Sequence, residues 1–332
     1  MTRLRARKVD RKQTQIQMER IIVTGANGML ASNIIGELLK DGYEVIGTVR
    51  SLSRYHGPRG EGLELAECDF KDTAAMEELM DGCSGLIHVA AMTSQGENDY
   101  SKFRKVNVTA TEELVKAAIR KGLKRFLYVS TANAIGFGEA EGKPMTYPFT
   151  ESHYAVSKAE AEKVILPYKD KIDIVIVNPT FMAGRYGTAK GSNRLFNMVR
   201  KSPVVFCPKG GKNVLDVQEA ARGMVLAYQK GRNGENYLIT GRNYSYRELF
   251  SDAAKAIGRH PLLITVPNFL LKAAGALGDL LHKMGVSTEL SKSNVTMLMI
   301  NNHYHTDKAE KELGFKAAPI NFREMLSYDT ED

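Results

Sequence analysis

A short apolar strand that runs into a glycine-containing turn and then a helix constrains this chain more than any other feature. Residues 19–23 form a β-branched apolar run, which is typical of a buried parallel strand. Gly25 and Gly28 follow, and apolar residues then recur three and four apart from Met29 to Lys40, as in a helix. Because backbone amides at such a helix start can bind phosphate, the segment predicts a nucleotide site at the edge of a parallel sheet.

Each small residue of this turn has a physical use. Gly25 would allow the tight turn, Gly28 would let the backbone approach a pyrophosphate, and Ala31 is small enough for the helix to pack closely on the strand. The alternative is a glycine turn that binds nothing. The residues expected to contact a dinucleotide here are Thr24, Gly25, Asn27, Gly28, Met29 and Leu30.

A tyrosine and a lysine four residues apart form the second informative motif. On a helix, Tyr154 and Lys158 would share one face. A phenol has a pKa of about 10, and a nearby ammonium favours the phenolate and lowers that pKa. The pair is therefore predicted to be a tuned acid and base. The alternative is an amphipathic helix whose lysine is solvated.

Strands and helices alternate along the first half of the chain, which predicts a Rossmann-type, doubly wound parallel α/β sheet. We expect helices starting near Met29, Thr73, Lys102 and Ser152. The expected strands lie near 20–24, 43–49, 63–67, 85–89, 125–130 and 172–177. Two later segments, Val214–Val217 and Glu235–Thr240, are predicted to return as short strands to the nucleotide domain.

Composition narrows the class of protein. Of the formal charge of +8, residues 1–17 contribute +5, six Lys and Arg minus one Asp, so we expect a basic disordered leader rather than a nucleic-acid interface. The three cysteines have no disulfide or metal-ligand spacing, so no metal site is predicted. Residues 262–284 contain charges and are expected to form an amphipathic helix. These features predict a cytoplasmic protein and argue against membrane contact.

From about Met18 onward, the chain resembles the extended short-chain dehydrogenase/reductase family, also described as NAD-dependent epimerases and dehydratases. The resemblance rests on the two motifs and on three further segments in the family order. Residues 86–91 look like the family's fourth strand, residues 126–136 like the fifth strand with its active-site hydroxyl, and residues 178–184 like the turn against the nicotinamide. The further cofactor contacts that it implies are Val89, Ala90, Ala91, Tyr154, Lys158, Pro179 and Thr180.

The resemblance also implies a catalytic set. Tyr154 exchanges the hydroxyl proton, while Lys158 lowers the tyrosine pKa and holds the nicotinamide ribose. Counting back from Gly136 places Thr131 at the position of the carbonyl-polarising hydroxyl, with Ser130 in reserve. Asn107 matches the asparagine that opens the family's following helix and is expected to have a structural or water-relay role.

The end of the second predicted strand bears on the choice of cofactor. Arg50 stands where an acidic residue would favour NAD, and a guanidinium there can pair with a 2′-phosphate. NADP is therefore the predicted cofactor and NAD the alternative. Asp69 and Phe70 resemble the family's adenine-edge contact, although Asp69 is equally suited to cap a helix.

The C-terminal half looks most like the dihydroflavonol reductase and 3β-hydroxysteroid dehydrogenase branch. This implies an NADP-dependent oxidoreductase that interconverts a ketone and a secondary alcohol on a fairly hydrophobic small molecule. The alternatives are an NAD-dependent nucleotide-sugar epimerase and a non-catalytic NADP-binding redox sensor. The expected domains are 18–180 with about 212–242 for the cofactor, and 181–211 with 243–330 as a small, mainly helical substrate domain. Family members commonly form homodimers.

Overall fold

The computed structural model describes residues 19–93, 97, 99–136, 152–188, 191–284, 286 and 292–327. The leader predicted at 1–17 lies outside these residues. The first strands are β1 (Arg20–Thr24), β2 (Glu44–Val49), β3 (Leu63–Glu67), β4 (Gly85–His88), β5 (Arg125–Val129) and β6 (Asp173–Pro179). The helices between them are α1 (Met29–Lys40), α2 (Thr73–Leu79), α3 (Tyr100–Phe103), α4 (Ala110–Arg120), α5 (Ala132–Ile135) and α6 (His153–Ile165).

The second half adds shorter strands and more helices. The strands are β7 (Phe181–Ala183), β8 (Val204–Cys207), β9 (Gly211–Asp216), β10 (Asn236–Ile239), β11 (Arg242–Ser245), β12 (Leu262–Thr265) and β13 (Asn301–Asn302). The helices are α7 (Arg194–Lys201), α8 (Val217–Lys230), α9 (Tyr246–Ala256), α10 (Asn268–Lys283), α11 (Lys292–Met299), α12 (Lys308–Leu313) and α13 (Phe322–Ser327).

The central sheet of the described chain has seven strands in the order β10-β6-β5-β4-β1-β2-β3, and every neighbouring pair is parallel. This confirms the Rossmann-type fold. Alternate residues of β1 face opposite layers, as the two-residue period of a strand requires. Ile21 and Val23 pack in the layer that holds α1 and α8, while Ile22 packs in the layer that holds α4 and α6.

The rest of the chain contains more sheet than the predicted, mainly helical domain. A second sheet joins β11, β9 and β13, and β7 also pairs with β9, while β8 and β12 form a separate parallel pair. Val214–Val217 was predicted to form a strand that returns to the nucleotide domain. This prediction was wrong, because β9 lies in the second sheet and not in the central one. The predicted return of Glu235–Thr240 is confirmed, since β10 pairs with β6.

Asn213 joins the two parts of the molecule. Its side chain accepts hydrogen bonds from the Thr180 hydroxyl at 2.7 Å and from the Gly241 amide at 2.8 Å, and it donates to the Gly241 carbonyl at 3.2 Å. Gly241 follows β10, where the chain crosses into the second sheet, and a Cβ there would lie 1.9 Å from the Val214 carbonyl oxygen. Only glycine fits this crossing.

We predict that Gly241→Ala destabilises the protein by about 2 kcal/mol or more, because the clash is with backbone that cannot move aside cheaply. Chemical denaturation, monitored by circular dichroism, measures the change in the free energy of unfolding. Gly60→Ala is the matched control, since a Cβ at Gly60 meets nothing within 4 Å. Equal stability of the two variants would contradict the close approach at Val214.

Candidate active site

The turn between β1 and α1 has the geometry of a phosphate-binding loop. Gly25 has a φ of +72°, and a Cβ there would lie 3.0 Å from the Ala90 Cβ. Gly28 is the N-cap of α1, whose first amides have no partner within the helix. The Asn27 side-chain oxygen is buried and makes no hydrogen bond within the described chain. A positive helix end and a side-chain-free approach fit the pyrophosphate of a dinucleotide, whereas the unused Asn27 oxygen is an acceptor and would need a donor from a ligand.

The Thr24 hydroxyl is used for hydrogen bonds within the protein. It accepts hydrogen bonds from the amides of Val89 at 3.0 Å and Ala90 at 3.1 Å, and it lies 2.8 Å from Nδ1 of His88. The Thr24 side chain is fully buried. It therefore holds the ends of β1 and β4 together. Residues 89–91, which follow β4 at the carboxyl edge of the sheet, are half-buried.

His88 is a buried member of the site that the sequence did not single out. Its Nε2 lies 3.1 Å from the Thr111 hydroxyl, which donates to the Asn107 carbonyl. These bonds place the ring proton on Nε2 and leave Nδ1 to accept from Thr24. Burial, together with the charge of Lys158, lowers the pKa of His88 well below its ordinary value. A neutral imidazole therefore links the glycine turn, through Thr24, to Thr111 at the start of α4.

The residues predicted around the adenosine lie together at the ends of β2 and β3. Arg50 follows β2 directly and is exposed, and it makes no hydrogen bond or ion pair within the described chain. Asp69 pairs with Lys71 at 3.1 Å and accepts from its amide, whereas Asp72 caps α2. The Phe70 ring packs on the His88 imidazole with centroids 4.9 Å apart. Asp69 thus organises the turn, and Arg50 is free to meet a ligand.

Tyr154 and Lys158 both lie on α6, which begins at His153 after the N-cap Ser152. Lys158 is 1% exposed, and its Nζ lies 4.0 Å from the centre of the Tyr128 ring. Burial lowers the pKa of Lys158 to about 7, and Glu162 opposes this shift. The aromatic face thus provides the ammonium with a direct electrostatic contact in place of an ion pair.

The pKa of Tyr154 is raised within the protein, not lowered as the sequence predicted. Burial raises the pKa of Tyr154 to about 12. Removal from water disfavours the charged form of each group, so it raises the phenol pKa and lowers the ammonium pKa. The spacing of Tyr154 and Lys158 indicates a shared face, but burial decides both protonation states.

The two candidate hydroxyls after β5 have different surroundings. Thr131 is the half-buried N-cap of α5, and its hydroxyl accepts only a long bond of 3.4 Å from the Asn133 amide. Ser130 is 3% exposed and makes no regular hydrogen bond within the described chain. Burial raises the pKa of the nearby Glu162 carboxyl, and the Ser130 hydroxyl partly opposes this rise. This placement favours Thr131 as the hydroxyl that meets a substrate.

Glu162 is a further site residue that the sequence reasoning missed. Its carboxylate accepts from Asn178 at 2.7 Å, and Asn178 also donates to the Thr131 carbonyl at 2.9 Å. These two bonds fix α6, the end of β5 and the end of β6 against one another. Its signal in the sequence is a carboxylate four residues after Lys158, on the same face of the helix.

Asn107 and Thr180 hold backbone in place. Asn107 lies in a π-helical turn between α3 and α4, not at the start of a helix as expected. It accepts from the Met92 amide at 2.7 Å and donates to the Met92 carbonyl at 3.0 Å and to Ser157 at 2.9 Å. Thr180 directly follows Pro179, the last residue of β6, and its hydroxyl donates a hydrogen bond to the Asn213 side chain. Both residues position neighbouring backbone.

Comparison with known proteins agrees with this geometry. The model of the NAD dependent epimerase/dehydratase family matches residues 21–240. A Synechocystis sp. protein with the name "Putative dihydroflavonol 4-reductase" is 30% identical over 90% of each chain. Sterol demethylase protein B of Methylococcus capsulatus is 25% identical over 88% of this chain and 92% of its own. The solved structure of gox2253 shares the fold, with a TM-score of 0.77 and 24% identity over 93% of this chain and 97% of its own.

The chain belongs to the NAD dependent epimerase/dehydratase family, in its extended short-chain dehydrogenase/reductase branch. It is therefore an NAD(P)-dependent oxidoreductase that acts on CH–OH groups, as the sequence resemblance predicted. No helix among the described residues is long and apolar enough to cross a membrane.

We predict that Lys158→Met raises the free energy of unfolding at pH 7 by on the order of 1 kcal/mol or more, because it removes a buried charge that no ion pair compensates. The pKa of Lys158 is about 7 in the fold and 10.5 in the unfolded chain, so the unfolded state binds more protons between these values. The cost of the lysine is full below about pH 7 and fades as the pH rises toward 10.5.

Thermal melts of wild type and Lys158→Met from pH 6.5 to 9.5 measure this difference. The stability gained by the variant is expected to shrink steadily as the pH rises. Lys163→Met is the matched control, because Lys163 lies on the same helix and is exposed. A gain that does not depend on pH would show that Lys158 carries no unfavourable charge in the folded protein.

Proposed function

We propose that this protein is an NADP-dependent oxidoreductase that interconverts a ketone and a secondary alcohol on a fairly hydrophobic small molecule. The observation that carries the proposal is the buried lysine one helical turn after Tyr154, at the same sheet edge as the Thr131 hydroxyl. A purely structural helix would not bury an ammonium without an ion pair. The names of the two relatives, a putative dihydroflavonol 4-reductase and a sterol demethylase protein B, support a hydrophobic substrate.

The proposed roles follow from the surroundings of each group. When bound, the nicotinamide cofactor supplies or accepts the hydride. Tyr154 is protonated at neutral pH, because its pKa is about 12, so it can donate its proton to a carbonyl oxygen during reduction. Thr131 donates a hydrogen bond to the same oxygen and stabilises its developing charge. Lys158, with a pKa of about 7, can hold or release a proton near the tyrosine and bind the ribose hydroxyls.

The preference for NADP rests on Arg50. Its exposed guanidinium stands at the end of β2 without a partner in the described chain, and no carboxylate occupies this position. Arginine binds a phosphate through two parallel hydrogen bonds, which suits the 2′-phosphate that distinguishes NADP from NAD. The resemblance implies that Pro179 and Thr180, at the end of β6, contact the nicotinamide.

One observation favours the alternative of a nucleotide-sugar epimerase. The Lys212 ammonium lies 4.5 Å from the centre of the Phe181 ring and has no carboxylate partner within the described chain. Burial lowers the pKa of Lys212 to about 8. A half-buried cation at this place would suit an anionic group of a substrate, such as a diphosphate. An epimerase retains its cofactor through turnover, so NAD that stays bound through purification would support this alternative.

We predict that Tyr154→Phe lowers turnover of ketones with NADPH by about 10²-fold or more, because the proton donor is lost. Affinity for NADPH should remain, since the ring stays in place. Initial rates over a panel of steroid and aromatic ketones measure the first effect, and nicotinamide fluorescence measures the second. Tyr168→Phe is the control, as this hydroxyl binds Glu112 on the surface. Near-normal turnover of Tyr154→Phe would refute the mechanism.

We predict that Arg50→Ala weakens NADPH binding by about 10- to 100-fold, the effect of losing a hydrogen bond to a charged group. NADH binding should change little, because NADH has no 2′-phosphate. Parallel fluorescence titrations of the cofactor-free protein with both nucleotides measure the difference. Arg59→Ala serves as the control, since it also removes a guanidinium, but one that packs over the Tyr55 ring. Equal losses for both nucleotides would remove Arg50 from cofactor selection.

A further inference from the structure

The parallel pair β8 and β12 exposes an apolar face to solvent. Phe206 is 59% exposed, Leu262 62% and Ile264 40%, whereas Val205 and Cys207 on the other face are buried. Phe206 and Ile264 are neighbours across the two strands, so their side chains lie side by side. No element among the described residues covers this face. Singly exposed apolar residues are common on protein surfaces, whereas a contiguous cluster such as this one marks an interaction site.

Helix α10 extends the apolar surface. It begins three residues after β12 ends, and its first turn exposes Phe269 by 69% and Leu270 by 50%. Farther along the helix, Leu277 and Leu280 are more than half exposed, whereas Gly275 and Gly278 are buried. The helix thus turns its glycines inward and its leucines outward, which is the reverse of a helix that uses its large residues for the core.

The chain around this surface is strongly basic. Residues 200–210 and 253–278 together contain six Lys and Arg residues and no Asp or Glu. Lys201, Lys209 and Arg259 are exposed close to the two strands, and Lys272 is exposed on α10. Arg247 donates to the Leu263 carbonyl at 2.9 Å, so its guanidinium lies along the edge of β12. These two segments contribute +6 to the formal net charge and the leader at 1–17 contributes +5, whereas the remaining chain has a net charge of −3.

We propose that this surface seats the protein on an anionic lipid bilayer. We define the bilayer face as Phe206, Leu262, Ile264, Phe269 and Leu270, with the outer side of α10. Large apolar residues that enter the headgroup region, rimmed by Lys and Arg, are the physical requirements for interfacial binding. No spanning helix is needed, and the described chain contains none. The sequence alone argued against membrane contact. The periodicity of α10 indicates an amphipathic helix but does not show which of its sides faces solvent.

A second copy of the chain fits the face less well than a bilayer. A two-fold interface would bring the same patch of each copy together and place like charges opposite one another. An anionic lipid surface attracts those charges and accepts the apolar residues at the same time. The proposal is independent of the reaction at Tyr154, so its failure would leave the proposed catalytic function unaffected.

Vesicle flotation with the full-length protein tests the proposal. Vesicles of phosphatidylcholine alone are compared with vesicles that also contain phosphatidylglycerol, at low and high salt. We expect binding to the anionic vesicles that weakens with salt. The double variant Phe206→Ser/Phe269→Ser should bind roughly tenfold less or weaker still, because each serine removes a large apolar group from the interface. Leu52→Ser, which changes an exposed leucine far from this face, should bind as wild type.

Two further measurements keep the outcome clear. Melting temperature and NADPH titration of the double variant establish that it is folded, as expected for exposed positions. The charge variant Arg259→Glu/Lys272→Glu should lose binding to anionic vesicles in particular. Absence of vesicle binding by wild type, or equal binding by the Phe206→Ser/Phe269→Ser variant, would overturn the proposal. A dimer in sedimentation velocity that this variant dissociates, without vesicle binding, would assign the face to self-association instead.

Discussion

The burial of one ammonium group imposes the constraint on which the rest of the site depends. Lys158 is nearly inaccessible to water, and its charge is met by the face of Tyr128 rather than by an ion pair. Such a group costs stability, so the surrounding fold has to hold it. Glu162 and Asn178 do this by hydrogen bonds that tie α6 to the ends of β5 and β6. The lysine is thus held next to the ends of β5 and β6, at the expense of stability.

The parallel sheet explains why distant segments meet there. The carboxyl ends of β1, β4, β5 and β6 lie at one edge of the sheet, and loops at this edge carry the glycine turn, Ala90, Thr131 and Thr180. Hydrogen bonds then fix the segments in pairs, such as Thr24 with the start of the loop after β4. The arrangement of the site is therefore an outcome of strand order, and buried side chains such as Thr24 fix the segments in place.

The sequence predicted the fold well because its signals are local. Apolar runs and glycine turns indicate the strands of the central sheet, and the predicted helix start near Ser152 agrees with α6, which begins at His153. It could not show that β9 pairs with β11 and β13, because sheet partners far along the chain leave no local pattern. The role of Thr24 and the pKa values of Tyr154 and Lys158 were also out of reach, since they depend on burial by residues from other elements.

The joint at Asn213 gives the two parts of the molecule a fixed relation. Thr180 on one side and Gly241 on the other are bound to one buried amide, and the backbones there approach too closely to slide. The edge that carries Tyr154 and the part that carries the bilayer face are thus connected through short, buried contacts. A protein seated by Phe206 and Phe269 would hold its active site at a constant orientation to the lipid surface.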